Sequence, residues 1–524
     1  MPDTTKPAAL FSLSDKAGSV ELARALHERG TVIYATGGTK AHLEAHGIPA
    51  HDVGDMTGFP ALFDGRVKTL HPKVFGAILY DRGNPGHVAQ AEKYAIAPIT
   101  TVVVNLYPFE ATVAREGTTL SEAIEQIDIG GVSLLRAAAK NFAHVAVLTH
   151  PSQYTEYLRA LEAGAVSSAL RQKFAVAAFE RTSEYDIAIS HFLATEGALL
   201  PSDLPGALTL TLPLAQRLRY GTNPQERAAF YLDRRDRLPE QLHGKDLSYN
   251  NLLDLDATLR LLSRAPLGAE IGSERERFVR AAVVKHTVPC GVAQRSGVAK
   301  AVSDALSADA VSAFGGIVAT DAPIDLETAE SLSKFFLEIV AAPGFSDDAL
   351  ARLKKKKNLR VMRFLPALPD ELARELRVRS ALGGVLAEDD NPSAPPEEWR
   401  VVSKRQPTSQ EWHDVAFAWD VVRHVKSNGI VIAKGGTTRG ICAGQTNRVS
   451  AVQIAAHRAG DEAKGAACAS DGFFPFADGL EAAAAAGCTA IIAPGGSVRD
   501  EEVIAAADRL GVSLIFSTYR YFLH

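Results

Sequence analysis

An α/β protein with more than one core, led by a doubly wound parallel sheet, is the fold class this sequence predicts. Its 524 residues are several times what one hydrophobic core needs. Domains run to ~100–200 residues, so about three domain-sized units are expected. Over the first 150 residues, short apolar β-type runs alternate with helix-period segments, the pattern of a parallel sheet covered by helices. With 46% hydrophobic and 22% charged residues, 41 Gly and 26 Pro, the composition is that of a folded chain rather than a disordered or fibrous one.

LFSLS at Leu10–Ser14 reads as the first strand and Ser19–Glu28 as the helix after it, with Leu22 and Leu26 on one face. Thr31–Thr36 is the next strand, GGTKAHLEAHG turns into a second helix, and Val102–Leu106 and His144–Thr149 are further buried strands. From about Ser152 to Ser190 the pattern is mostly helical, and the Pro-, Gly- and Leu-rich Leu200–Pro213 stretch marks a boundary. Domains of 1–200 and 201–524 are therefore expected. The second holds strand-rich blocks at Val283–Thr320, Val401–Ala443 and Thr489–Phe516, enough for two subdomains at about 201–390 and 391–524. NPSAPPEEW (Asn391–Trp399) is a loop between them, because its prolines cannot continue a helix or central strand. AAAAAG (Ala482–Gly487) is a helical run. LKKKKN (Leu353–Asn358) is a solvated helix face, with substrate steering as the alternative. No tandem repeat is apparent.

The 56 basic and 61 acidic residues leave a formal charge of -5. No global cationic field exists to hold a polyphosphate, which excludes a general nucleic-acid coat protein but leaves room for local phosphate sites. Cys290, Cys442, Cys468 and Cys488 show no C-x-x-C spacing and make no disulfide framework, so a reducing compartment is expected. The first residues lack the parts of a signal peptide, and no apolar stretch reaches the ~18 residues of a membrane span. A cytoplasmic protein follows.

ATGGT at Ala35–Thr39 follows a strand and opens a helix, where backbone N–H groups and the helix dipole favour an anion. It matches neither an NTPase loop nor a dinucleotide fingerprint, and a turn that only shapes the loop is the alternative. DGRVKTLHP (Asp64–Pro72) crowds Arg66, Lys68, Thr69 and His71 together, which suits a phosphate monoester, against the plainer reading of an exposed basic loop. NLYPF (Asn105–Phe109) follows a buried run, so Asn105 and Tyr107 are expected at a strand's carboxyl end, where open α/β sheets bind ligands. Asp128 and Lys140 bracket a short apolar helix. Asp128 is its N-cap or a proton-transfer group; Lys140 complements the helix dipole or joins the chemistry.

In the second region, LRYGTNPQE (Leu218–Glu226) supplies Arg219, Tyr220 and Asn223 beside a turn. VVKHTVPCG (Val283–Gly291) ends a buried strand with Lys285 and His286 adjacent. An ammonium can stabilise developing negative charge while an imidazole relays a proton near neutral pH. Polar strand-end residues facing solvent are the alternative. The Pro289–Cys290 pair lacks H-x-E and the second cysteine of a zinc deaminase, so zinc is rejected. The remaining pieces are AFGG (Ala313–Gly316), SNGIVIAK (Ser427–Lys434), AGQTNR (Ala443–Arg448), SDGFFPFAD (Ser470–Asp478) and RYFLH (Arg520–His524). The aromatics of FFPFAD with their acid suit a flat heterocycle bearing amino and amide groups, or are ordinary core.

In this order the motifs resemble, over essentially the whole chain from Ser14–Lys16 to His524, the bifunctional purine-biosynthesis family that joins AICAR formyltransferase to IMP cyclohydrolase. The resemblance implies a methylglyoxal-synthase-like N-terminal domain and a transformylase of two cytidine-deaminase-like α/β subdomains. It also implies a homodimer with transformylase sites at the subunit interface. Formyl transfer from 10-formyltetrahydrofolate to AICAR would give FAICAR, and dehydrative closure would give IMP. The partners are these small molecules; no redox cofactor, catalytic metal, nucleic acid or membrane is implied, and a structural monovalent cation is left open.

By the same resemblance, His286 assists deprotonation of the amine, Lys285 stabilises the oxyanion or protonates the departing folate nitrogen, and Asn428 holds the formyl oxygen. Arg219, Tyr220, Gly316, Glu338, Arg448, Arg520 and Phe522 line the nucleotide pocket, and Phe473 and Asp478 the folate slot. For ring closure, Ser12, Lys16, Thr36, Gly37, Thr39, Arg66, Lys68 and Thr69 bind the nucleotide, chiefly its phosphate. Tyr107, Asp128 and Lys140, with Lys68, make the acid/base and oxyanion group. The family commonly carries His, Asn and Gly where this chain has Phe75, Val288 and Cys442, which read as changes in loop packing.

Overall fold

The computed structural model describes residues 6–60, 62–63, 66–115, 117–196, 208–232, 237–263, 278–389, 391 and 398–524. Contacts divide the chain into two compact units, Met1–Thr211 and Leu212–His524. Of the expected proline loop, residues 392–397 lie outside the described residues, as do Asp64 and Gly65 of the basic stretch.

Five parallel strands build the first unit: β1 (Ala8–Leu13), β2 (Val32–Ala35), β3 (His51–Asp52), β4 (Ile99–Asn105) and β5 (Ala146–Leu148), in the order β3-β2-β1-β4-β5. β1 and β4 are central and covered on both faces, so AALFSL and ITTVVVN are buried almost throughout instead of alternating. The chain winds outward from β1 through β2 and β3, then returns to β4 on the other side. That reversal opens a crevice beyond the carboxyl ends of β1 and β4. Leu22 and Leu26 of helix Ser19–Glu28 are buried. Helix Ser168–Glu196 packs on helix Ile129–Lys140 and β5. β5 keeps only part of the expected 144–149 run.

The second unit opens with a hairpin, β6 (Leu214–Leu218) and β7 (Ala228–Tyr231). The first half of its main sheet comprises β8 (Glu240–His243), β9 (Val279–Lys285), β10 (Val288–Arg295), β11 (Ile317–Thr320), β12 (Ile339–Ala342) and β13 (Arg360–Arg363). A side hairpin, β14 (Arg377–Ala381) and β15 (Gly384–Glu388), follows. The second half comprises β16 (Arg400–Val401), β17 (Ile430–Lys434), β18 (Thr437–Cys442), β19 (Ala467–Ser470), β20 (Ala490–Pro494) and β21 (Ser513–Ser517). Among the described residues the sheet runs β16-β21-β20-β19-β17-β18-β10-β9-β11-β12-β13-β8.

Outward from the antiparallel β10/β18 pair, the two halves repeat each other. Each has a hairpin, an antiparallel third strand, two parallel strands and an antiparallel edge strand. Helices Tyr249–Arg260 and Ser409–Val422 both start from capping boxes, at Ser248 and Thr408, where side chain and backbone satisfy each other's orphan groups. Both pack into one core with Ala282 and Val284 of β9 and Val431 and Ala433 of β17. The alternate residues, Ala281 and Val283 or Ile430 and Ile432, face the other side and enter two separate cores. In each half a glycine sets how closely the second hairpin strand meets the next helix. A Cβ at Gly291 would lie 2.0 Å from the Ala305 carbonyl oxygen, and one at Gly440 2.0 Å from that of Ala455.

No tandem repeat is apparent in the sequence, yet the two halves share one topology. The duplication lives in backbone topology and a handful of caps, aspartates, lysines and glycines, too sparse to register as sequence similarity. The lysine run lies at the end of helix Asp347–Lys354, where Lys354, Lys355 and Lys357 are exposed as expected and Lys356 alone departs, its Nζ donating to the Phe335 carbonyl.

Candidate active sites

A cavity of about 460 Å3 opens at the β1/β4 switch point, lined by Ser12, Arg66, Lys68, Thr69, Tyr107 and Asp128 together with the start of helix Ile129–Lys140. Asn105 shapes this cavity from behind. Its Oδ1 accepts from the Ser14 amide (2.7 Å), Ser14 Oγ (3.0 Å) and the Asp15 amide (2.9 Å), and its Nδ2 donates to the Asp15 carbonyl (2.7 Å), fixing the loop after β1.

Asp128 is the N-cap of the helix, its Oδ1 accepting from the Gly131 amide at 2.6 Å. The Tyr185 hydroxyl braces it, accepting from the Asp128 amide (2.9 Å) and donating to the Gln126 carbonyl (2.7 Å). Burial pushes the Asp128 carboxyl up from the usual range, outweighing the Gly131 amide, the Lys68 charge and the Tyr107 amide, which pull it down. Capping alone lowers a carboxyl pKa, so the upward shift marks a group suited to carrying a proton. Lys68 Nζ lies 3.5 Å from the Tyr107 hydroxyl. Gly130 and Gly131 let these groups converge. A Cβ on Gly130 would come within 2.9 Å of Thr69 Oγ1, and one on Gly131 within 2.3 Å of Asp128 Oδ2. Arg66 pairs with Glu125 in the cavity wall.

The other residues expected here are placed differently. Thr36 donates to Ser12 Oγ at 3.3 Å and brings the N-terminus of helix Gly37–Ala45 beside the cavity. Thr39 is buried, and its hydroxyl accepts from the Leu13 amide (3.0 Å) and donates to the Leu13 carbonyl (3.3 Å), tying that helix to β1. Lys16 Nζ donates to the Ser14 carbonyl at 3.4 Å. Lys140 stands at the opposite end of Asp128's helix, roughly 18 Å away at 1.5 Å per residue. It lines a separate, largely apolar cavity of about 650 Å3 with Phe75, Phe142 and Phe179. The structure does not bring Lys140 to Tyr107 and Asp128 of its own chain. Phe75 belongs to helix Pro72–Leu79 and not to a loop, and it faces the Lys140 cavity.

In the second unit, His286 (φ 56°) and Thr287 (φ 61°) form the two-residue turn between paired Lys285 and Val288. Such turns usually take Asn-Gly or Gly-Gly, and for His and β-branched Thr the left-handed backbone costs about 1–2 kcal/mol per residue. Asp254, on helix Tyr249–Arg260, offsets that strain by accepting from the Thr287 amide (2.7 Å) and the His286 amide (3.3 Å). Burial pushes the Asp254 carboxyl up, against the pull of both amides and of the His286 and Lys426 charges. Lys285 Nζ donates to the Phe314 carbonyl at 2.7 Å.

The second hairpin repeats this frame. Gly435 (φ 58°) and Gly436 (φ 64°) turn between paired Lys434 and Thr437. Asp414, at the position of helix Ser409–Val422 that matches Asp254, accepts from the Gly436 amide at 3.0 Å. Lys434 Nζ donates to the Lys464 carbonyl at 2.7 Å. Asp254 was not anticipated from sequence; its shared offset from the Ser248 and Thr408 caps is the signal that finds it.

Around the first turn, Gly316 is tightly packed, since a Cβ there would lie 2.9 Å from the Val284 carbonyl oxygen. Its own carbonyl accepts from the Glu338 amide (3.0 Å), and the Glu338 carboxylate accepts from Arg360 (2.7 Å). Arg219 donates to the Tyr220 hydroxyl at 2.8 Å, on a loop tied to the Asp254 helix by Asn250, which donates to the Thr222 carbonyl (3.1 Å). Asn428 donates to the Gln445 carbonyl from its backbone (2.9 Å) and its side chain (2.8 Å). Arg448 is buried, pairs with Asp471 and donates to Ser470 Oγ (3.0 Å). Ser427 Oγ also donates to Asp471, and Arg520 lies 4.7 Å over the Phe522 ring. Of FFPFAD, Phe474 is core while Phe473 and Phe476 are exposed, and Asp478 begins a helix. Val288 pairs with Lys285 inside the hairpin, and Cys442 is buried at the end of β18; both are strand positions, not loops.

The AICARFT/IMPCHase bienzyme family model matches residues 138–458, and the MGS-like domain model matches residues 18–133. The bifunctional purine biosynthesis protein PurH of Prochlorococcus marinus (strain MIT 9303) is 48% identical over 99% of this chain and 100% of its own. The protein of the same name from Chloroflexus aurantiacus is 48% identical over 98% of each chain. The chain belongs to the AICARFT/IMPCHase bienzyme family. The bienzyme acts in purine biosynthesis as both AICAR formyltransferase and IMP cyclohydrolase. A crystal structure of ForH is similar over 36% of the bienzyme chain and 98% of its own, with 32% identity and a TM-score of 0.33. Among the described residues, no helix is long and apolar enough to cross a membrane, and no three His, Cys, Asp or Glu side chains gather as a metal-ligand group.

Proposed function

We propose that the two reactions of the bienzyme use separate centres, ring closure in the β1/β4 cavity and formyl transfer at the His286 turn. The observation that carries this reading is the placement of one proton-handling set in each unit: Asp128, Lys68 and Tyr107 in the first, His286 with Asp254 in the second.

Formyl transfer takes its one-carbon unit from 10-formyltetrahydrofolate. The 5-amino group of AICAR is a poor nucleophile because its lone pair is delocalised into the ring and carboxamide. His286 removes its proton as the new C–N bond forms. Lys285 and Asn428 stabilise the tetrahedral oxyanion, whose collapse breaks the bond to the folate nitrogen, and that nitrogen takes up a proton. Arg219, Tyr220, Gly316, Glu338, Arg448, Arg520 and Phe522 bound the AICAR pocket, and Phe473 and Asp478 the folate. For ring closure, the FAICAR phosphate is held by Arg66, Thr69, Lys16 and the loop of Ser12, Thr36, Gly37 and Thr39. The carboxamide nitrogen attacks the formyl carbon and water leaves. Closure is intramolecular, so positioning supplies much of the acceleration, and Asp128, Tyr107 and Lys68 move protons and steady the oxyanion. Both reactions are redox-neutral and need no redox cofactor.

With AICAR and the formyl folate supplied, His286→Ala is expected to lose formyl transfer ~10²–10⁴-fold while still cyclising supplied FAICAR. Lys68→Ala is expected to do the reverse. Loss of both reactions in either folded variant would sink the two-centre reading.

A cytoplasmic homodimer completes the proposal. Lys140 is too far from its own Asp128 to serve the same substrate, so its part in ring closure requires it to enter from a second copy. Mixing Asp128→Asn with Lys140→Ala, each deficient alone, then restores cyclisation through one intact site per mixed dimer. A mixture no more active than its parts would remove Lys140 from the reaction.

A further inference from the structure

We propose that Arg181 and Tyr185, one turn apart on helix Ser168–Glu196, are positioning residues for ring closure, tying the two segments that carry Tyr107 and Asp128 to a single helix face. Their role rests on ring closure occurring in the β1/β4 cavity. Tyr107 and Asp128 reach that cavity from different connections, the loop after β4 and the loop before helix Ile129–Lys140. Residues four apart on a helix share a face. Helix Ser168–Glu196 packs on both helix Phe109–Val113 and helix Ile129–Lys140, so one such pair can reach both connections.

Tyr185 is fully buried, and its hydroxyl serves one three-residue segment, accepting from the Asp128 amide (2.9 Å) and donating to the Gln126 carbonyl (2.7 Å). Phenylalanine would fill the same space in the core. A buried hydroxyl costs free energy unless it is paired, and this one is paired only with the backbone that presents Asp128. Arg181 makes the second tie. Its fork meets the Glu110 carboxylate, Nη1 at 2.6 Å and Nη2 at 3.2 Å, a bidentate geometry that fixes orientation as well as distance. Glu110 lies in the first turn of helix Phe109–Val113, just beyond Tyr107 and Pro108. Between the two ties, buried Phe109 donates from its amide to the Tyr107 carbonyl (2.8 Å) and meets the Tyr185 ring edge-on, centroids 6.1 Å apart at 69°. The Arg181 guanidinium lies 5.4 Å over that same ring. The ties therefore touch each other, and Tyr107 and Asp128 are held against one common support. Arg66, Thr69 and Lys16 lie on other segments, so the pair bears on the reacting groups and not on the phosphate grip.

The test is cyclisation of supplied FAICAR by the full-length bienzyme carrying Tyr185→Phe, alone and in an Asp128→Asn background. Alone, it is expected to lower kcat at least about tenfold, toward the ~10²-fold that a 1 Å misplacement costs. KM should stay unchanged because the phosphate grip is intact, and formyl transfer to AICAR should stay unchanged because it uses the other centre. On the residual rate of Asp128→Asn, Tyr185→Phe is expected to cost far less than it does alone, since a residue acting through Asp128 then has little left to position. Arg181→Met, at a partly exposed position, keeps the alkyl stem and loses the fork. It should also lower kcat at unchanged KM, and it carries the same readout should Tyr185→Phe not fold. Wild-type kcat in both variants, a raised KM in place of a lowered kcat, or the same fold-loss from Tyr185→Phe with and without Asp128→Asn would overturn the proposal and leave the two-centre reading standing. Unimpaired cyclisation by Asp128→Asn would instead overturn the role of Asp128 in ring closure, and the proposal with it.

Discussion

At the His286–Thr287 turn and at the Gly435–Gly436 turn the backbone follows the same left-handed path, between strands in the same register and under a helix carrying an aspartate at the same position. In both, the preceding lysine donates to a loop carbonyl at 2.7 Å, and a glycine in the following strand admits the next helix. What differs is the pair of residues at the tip. One turn uses residues that tolerate its backbone, and the other places an imidazole and a β-branched residue where glycine belongs. Features present in both turns are scaffold, so the resting contact of Lys285 is a property of the fold. His286 is where the halves part, and strain tolerated at one of two equivalent turns points to use of that side chain.

The largest effect should come where the halves are the same. Gly291→Ala and Gly440→Ala each drive a Cβ into a helix carbonyl, and each should cost upwards of about 3 kcal/mol or prevent folding. Denaturant melts giving one large and one negligible loss would break the equivalence. A smaller and unequal effect is expected at the aspartates. Asp254 serves two turn amides and Asp414 one, so Asp254→Ala should lose about 2 kcal/mol and Asp414→Ala about 1 kcal/mol. Burial raises the folded pKa of Asp254 above its unfolded value. Its contribution is therefore full below the unfolded pKa and is lost as pH rises through the folded one. The gap in melting temperature between wild type and Asp254→Ala should widen from about pH 7 toward about pH 4.

Much of the first unit was legible in the sequence because β1 and β4 are buried on both faces and announce themselves as apolar runs. Asn105 and Tyr107 could be placed from the rule that ligands bind beyond strand carboxyl ends, and Asp128 from its place before a short apolar helix. Lys140 could not, since a linear motif that brackets a helix looks like one cluster while the helix holds its ends a helix-length apart. The duplication left few marks in sequence because packing constrains only positions such as Gly291 and Gly440 strictly and leaves other core residues free to change. Asp254, Asp471 and Tyr185 act through hydrogen bonds across long stretches of chain, and no local pattern singles them out.

The most direct measurement converts the first turn into the second with His286→Gly/Thr287→Gly and follows stability and both reactions together. The variant should melt at or above the wild-type temperature as the left-handed strain is relieved, lose formyl transfer to AICAR ~10²–10⁴-fold, and cyclise supplied FAICAR at the wild-type rate. Retention of formyl transfer by the folded variant, or a parallel fall in cyclisation, would contradict the assignment of chemistry to the diverged turn.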